Sequence, residues 1–172
     1  MVRPDSTEYA SYYTKYVDLV PEDDILTAMR LQLDDTIAAL NRVPNREACV
    51  HHHPYTWSIK EVVGHLTDSE RVFAYRALRF ARRDSTPLPG FDENPYVEAA
   101  QFDQQPLGDL VAAFDAVRRS SVCLFQSLSD PIWCRRGIAN GNEVSVRALA
   151  YIIVGHERHH MAIVRRRLSG VP

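Results

Sequence analysis

One amphipathic stripe near the C-terminus limits what this chain can fold into. Leu149, Ile152, Ile153, His156, His160, Ile163 and Val164 recur at i, i+3 and i+4 spacing, which puts them on one face of an α-helix. Ser145 can cap this helix, and Gly170 can end it. The face is apolar apart from its two histidines, so other helices must cover it.

The chain supplies those helices. Ile25, Met29, Leu33, Ile37 and Leu40 form a first helical pattern after Pro21-Glu22-Asp23-Asp24, whose carboxylates suit a first turn, and residues 41–44 close it. Residues 44–57 read as a loop. Ser58 and Glu61 then form a capping box, with Trp57 and Val62 placed as a hydrophobic staple. They open a second helix from about Ile59 to Arg82. Pro87, Pro89, Gly90 and Pro95 make residues 84–95 a loop, and a short helix is expected from Tyr96 to Gln101. A third long helix runs from Pro106 to about Leu128 with Leu110, Ala113, Phe114, Val117, Val122 and Phe125 inward. Between Trp133 and Val144, Asn140-Gly141 supplies the positive φ angles of a tight turn, so a small β-hairpin is expected before the last helix. The fold class is therefore all-α: a four-helix bundle with long connections before the third and fourth helices. Polar residues 1–20, with Tyr9, Tyr12, Tyr13 and Tyr16, form an arm or short helix over the bundle.

At 172 residues, 45% hydrophobic and 24% charged, the chain has the size of one domain, residues 1–172, and can bury a core without staples. A net charge of −2 gives no electrostatic case for nucleic acid or an anionic membrane. Arg165-Arg166-Arg167 suits the end of a helix, where cations meet the macrodipole. Cys49, Cys123 and Cys134 fit no C-x-x-C motif. They read as packing or surface residues of a cytoplasmic protein. No apolar signal core opens the chain and no stretch approaches a membrane span.

His156 and His160 lie one helical turn apart, so both imidazoles project from one face and can share an ion. The bland alternative is a pair of core histidines satisfied by hydrogen bonds. His65 on the second helix, flanked by Val62 and Leu66, is a third candidate. His156-Glu157-Arg158-His159-His160 also spells H-E-x-x-H, the zinc-protease pattern in which the glutamate activates water. No His, Asp or Glu follows His160, so a third ligand has to come from upstream, where His65 is the obvious choice.

The stretch from Trp57 to Arg71, beginning W-S-I-K-E and containing G-H-L at residues 64–66, resembles the first signature of the DinB/YfiT-like superfamily. Leu88-Pro89-Gly90-Phe91-Asp92-Glu93-Asn94 is similar to the following loop of the YfiT-like branch, and Gly155 to His160 to the closing signature. The likeness spans roughly residues 20–170. It implies a four-helix bundle with a three-histidine site at His65, His156 and His160, holding zinc or nickel, with iron or manganese as further candidates, and a homodimer. The better-understood relatives use low-molecular-weight thiols, as bacillithiol S-transferases, mycothiol-dependent enzymes and the iron-binding part of ergothioneine-forming sulfoxide synthases do, while many other members have no established reaction. Neutral histidines leave an ion its full charge and open positions, as in catalytic rather than structural sites. The expected function is a metal-dependent enzyme that activates a thiol, as an S-transferase, or water, as a hydrolase, for a small-molecule substrate. The alternatives are a non-catalytic, stress-related metal-binding bundle and a bundle whose histidines only pack.

Asp68, one turn after His65, and Glu157, beside His156, are the candidate general bases or imidazole-orienting groups. A solvated or salt-bridged place at the surface is the simpler reading of each. Asp92, Glu93 and Asn94 either reach the site mouth or cap a helix. His159 is off the stripe, exposed or behind the ligands, and His51-His52-His53 lies in a solvated loop. Arg76, three turns beyond His65, is placed to receive an anionic substrate, though pairing with a carboxylate is the simpler reading.

Overall fold

The computed structural model describes residues 2–169. Its helices are α1 (Thr14–Val17), α2 (Ile25–Leu40), α3 (Ile59–Ala81), α4 (Glu93–Ala100), α5 (Leu107–Gln126), α6 (Asp130–Trp133) and α7 (Val146–Leu168). Strands β1 (Arg136–Ala139) and β2 (Asn142–Ser145) form the expected antiparallel hairpin. Asn140 and Gly141 turn it with φ of 51° and 72°, values that favour Asn and Gly.

The four long helices close into a bundle. Both α3 and α2 pack on α5 and on α7, so α2 and α3 stand on one diagonal, and α5 and α7 on the other. The apolar core falls into two halves. Ile25, Met29, Phe73, Phe80, Phe125, Leu149 and Ile152 belong to one. Leu33, Leu40, Ile59, Leu66, Phe114, Met161 and Val164 belong to the other. The order in which each helix visits the halves makes α2 and α7 parallel, with α3 and α5 running the opposite way. A polar layer separates the halves, carrying His65, Ser69 and Glu70 of α3, Arg118 of α5, and His156 and Glu157 of α7, all buried.

Caps set the helix starts. Ser58 accepts from Glu61 N at 3.1 Å, and the Glu61 carboxylate accepts from Ser58 N at 2.8 Å. Ser145 Oγ accepts from Ala148 N at 3.0 Å. Several boundaries differ from expectation. The Glu22–Asp24 carboxylates precede α2 instead of filling its first turn, because Asp24 accepts from Thr27 N at 3.1 Å and is the cap. The short helix begins at Glu93, not Tyr96, because Asp92 caps it through Asn94 N at 3.1 Å and Pro95 sits in its first turn, where no N–H is needed. In α5 the helix ends at Gln126, Ala113 and Val117 are only half-buried, and Arg118 is fully buried. Gly170, the expected stop of the last helix, lies outside the described residues; the helix ends at Leu168.

The N-terminal segment is a chain of short turns and α1, packed on α7. Glu8 anchors it, accepting from Ser145 Oγ and Arg147 Nε, each at 2.7 Å. With α1, α2 and α3 all against it, α7 is buried without a break from Ala148 to Glu157. Gly155 permits the closest approach, since a Cβ there would run into the Tyr16 backbone carbonyl. The Gly155→Ala variant is therefore expected to lose about 1–3 kcal/mol of stability by overpacking and to expose the arm to protease. Denaturant melts and limited proteolysis measure both, and an unchanged melt and cleavage pattern would contradict the close packing.

Candidate metal centre

α3 and α7 bring three imidazoles to one point in the polar layer. His65 Nε2 and His156 Nε2 are 3.0 Å apart, and one ring nitrogen from each of His65, His156 and His160 lies within 4.8 Å of the others. The two α7 histidines come from consecutive turns, and the antiparallel packing of α3 delivers the third. Ser69 Oγ lies 3.4 Å from His65 Nδ1, the nitrogen facing away, where it can hold the ring with Nε2 free to bind.

Burial keeps these rings uncharged. It lowers the pKa of His65 to about 4, and burial with the neighbouring rings lowers that of His160 to about 3. His156 is driven well below its ordinary value by burial first and then by His160 and His65. Among the described residues no carboxylate bonds to any of the three. One nitrogen from each of three neutral imidazoles meets here, and each can be either donor or acceptor but not both, so the three cannot all satisfy one another. The donor set and spacing fit one divalent ion, which takes imidazole nitrogens at about 2.0–2.1 Å.

Aromatic rings wall the site. Trp57 lies 4.7 Å from the His65 ring and stacks 6.3 Å from His160. Tyr16 of α1 meets His156 and His159 edge-on at 5.2 and 5.4 Å. Phe73 stands 6.0 Å from His156. Burial raises the pKa of Tyr16, aided by its hydrogen bond with Tyr12, so it stays a phenol. The histidines open into a pocket of about 310 Å³ that also takes in Tyr13, Arg76, Glu93, Asn140 and Asn142.

The two carboxylates offered for proton chemistry are placed elsewhere. Asp68 pairs with Arg71 at 2.8 Å on the outer side of α3 and does not line the pocket. Glu157 is not at the surface: it is 1% exposed and 2.8 Å from the Arg118 guanidinium, because α2 covers the α7 face it occupies. Glu70 accepts from Arg118 Nε and from Nη2, the nitrogen that also faces Glu157, each at 2.8 Å, and Gln32 donates to Glu157. Burial opposes the charge on Arg118, yet Glu70 and Glu157 outweigh it and hold its pKa above the ordinary value. Glu157 thus ties α7 to α5 directly behind His156.

Of the other candidates, Glu93 and His159 line the pocket, and Asp92 caps α4. Asn94, the cysteines and residues 51–53 do not reach the pocket. His51 instead bonds Thr56 O at 2.7 Å and lies near Glu61 and Asp103. Ser69, Trp57, Tyr16 and Phe73 went unnoticed as site residues. Ser69 and Phe73 were detectable, lying four and eight positions after His65 on its face of α3; Trp57 and Tyr16 reach the site only through tertiary packing.

A family model described as the DinB superfamily matches residues 28–164. A protein of Oceanobacillus iheyensis named "putative metal-dependent hydrolase" is 26% identical over 141 residues, covering 80% of this chain and 78% of that protein. YfiT from Bacillus subtilis, described as a probable metal-dependent hydrolase with an unusual four-helix bundle topology, superposes with a TM-score of 0.71 at 16% identity, over 99% of this chain and 95% of that one. The mycothiol-dependent maleylpyruvate isomerase superposes with a TM-score of 0.67 at 18% identity, over 86% of this chain but 62% of that one. At these identities the two structures share the fold with this chain.

Two outcomes are expected. Arg118→Met leaves two buried carboxylates without their cation and should cost about 3–5 kcal/mol; a loss below about 1 kcal/mol in denaturant melts would contradict the ion network. Metal-free protein should lose stability as pH falls from 6.5 to 5. The unfolded chain takes up protons on histidine in that window while the buried rings do not. The loss is of order 2 kcal/mol for each fully buried ring. A melting temperature that holds steady from pH 7 to 5 would contradict neutral, buried imidazoles.

Proposed function

The chain belongs to the DinB superfamily, and on that premise we propose that it is a metal-dependent enzyme of small-molecule chemistry, with His65, His156 and His160 holding one divalent ion. Zinc or nickel suits the imidazole set best, and iron or manganese is also admissible. The observation that carries this reading is the convergence of three neutral imidazole nitrogens, without a carboxylate, at the floor of a pocket. Bound there by uncharged ligands, the ion would lower the pKa of a thiol or of water so that the thiolate or hydroxide is available near neutral pH.

Thiol transfer is the favoured reaction. Its support is the likeness to a mycothiol-dependent enzyme and a pocket whose aromatic rims suit the carbon skeleton of a small thiol and its electrophile. In that reaction the thiolate sulfur bonds to the electrophilic carbon while the bond from that carbon to its leaving group breaks. Trp57, Tyr16 and Phe73 exclude water from the reacting atoms, and Ser69 orients His65. Hydrolysis is the second reading, supported by the names of the other two relatives.

The test combines metal content with turnover. Protein purified without a nickel column is assayed with bacillithiol, mycothiol, glutathione and coenzyme A against 1-chloro-2,4-dinitrobenzene, beside His160→Ala. Near-stoichiometric metal in the wild type is expected, with loss of metal and at least a hundredfold loss of rate in the variant. Turnover that survives metal loss would overturn the metal-dependent reading, and metal without turnover in either protein would favour a non-catalytic metal binder.

A further inference from the structure

Arg76 is the one buried arginine of the pocket wall, and it lacks what the other deeply buried arginine has. Arg118, 0% exposed, is clasped by the carboxylates of Glu70 and Glu157. Arg76 is 4% exposed, and no ion pair joins it to a carboxylate among the described residues. Among the described residues its Nη2 donates to the Pro89 carbonyl at 2.8 Å, and its other polar partner is the neutral Tyr13 hydroxyl. A guanidinium carries five N–H donors in a planar fork, and burying its charge without an anion costs several kcal/mol. Arg76 lines the pocket.

The surroundings fit a receptor rather than a strut. Pro89 is held in place independently, since Leu88 N donates to Ile138 O at 2.9 Å and Asn140 N to Leu88 O at 3.0 Å. The loop is thus stitched to β1 without Arg76. Tyr13 stands beside the guanidinium, close enough for that charge to lower its otherwise burial-raised pKa. The Phe73 ring spans the interval to the histidines, its centroid 5.9 Å from Arg76 Cζ and 6.0 Å from the His156 ring. Glu93 lines the same pocket, and its carboxylate disfavours a second negative charge on a ligand there.

We infer that Arg76 is the receptor for a substrate carboxylate, so that the pocket takes an elongated monoanion whose carboxylate sits on Arg76, whose carbon chain lies along Phe73, and whose other end reaches the three histidines. The position of that other end rests on the metal-site reading; the carboxylate receptor does not.

The test uses zinc-loaded protein and titration calorimetry with a matched pair of probes, 6-mercaptohexanoate and 6-mercaptohexan-1-ol. The carboxylate is expected to bind at least tenfold more tightly in the wild type. Arg76→Gln should abolish that preference without weakening the alcohol, and Arg76→Lys should keep part of it. Circular dichroism melts of both variants establish that they fold, and the wild-type comparison stands without them. Equal affinities in the wild type, no measurable binding of the carboxylate, or a preference that survives in folded Arg76→Gln would overturn the assignment. Repeating the pair on His160→Ala separates the two readings. Failure of the metal site alone leaves the carboxylate preference intact while both probes bind the variant as they bind the wild type.

Discussion

The packing of α3 against α7 is the contact on which the rest depends, because it places His65 Nε2 3.0 Å from His156 Nε2 in the middle of the bundle. Three uncharged rings at that depth interrupt the apolar core, and the structure accommodates them by gathering its buried polar groups into one layer. On one side of α7 the layer is the histidine pocket. On the other it is Arg118 with Glu70 and Glu157. The second half positions the first: Glu157 and His156 are successive residues, so the ion network that ties α7 to α5 also fixes where the His156 ring can point.

The N-terminal arm belongs to the site as much as to the fold. Glu8 fastens it to the start of α7, the absence of a side chain at Gly155 lets it settle onto that helix, and Tyr16 then meets the rings of His156 and His159. Trp57 closes the opposite side and is itself held by Arg167, which donates to its carbonyl at 2.7 Å. The three histidines line the pocket that carries Arg76 and Glu93 at its wall. An enclosure of this kind strengthens electrostatic interactions inside it by excluding water.

Local signals carried much of this from the sequence. The capping box at Ser58 and Glu61, the Asn140-Gly141 turn and the four-residue spacing of His156 and His160 depend on residues within a few positions of each other, and each has one strong geometric consequence. His65 could be joined to that pair because it sits on the apolar face of its own helix and because the flanking motifs resemble a known family. What stayed hidden depends on which helix covers which face. Glu157 reads as a surface residue because the α7 stripe accounts for only one side of the helix; the arm and α2 bury the others. Arg118 interrupts an apolar pattern in α5 and has no local partner, since Glu70 and Glu157 arrive from two other helices. The same holds for Trp57 and Tyr16, whose loop and arm have no periodicity to say where they land. The start of α4 was missed for a different reason: Pro95 reads as a breaker, yet in a first turn it is tolerated.

No membrane-spanning helix is present among the described residues, and the chemistry offered by the fold is concentrated in one pocket. Whether the three histidines share a cation is measured directly by anomalous diffraction at the zinc edge from crystals grown with zinc. One strong peak enclosed by His65, His156 and His160 is expected, with nitrogen distances of about 2.0–2.1 Å. No peak at that point, or zinc bound only at His51, Glu61 and Asp103, the other group of possible ligands, would contradict it.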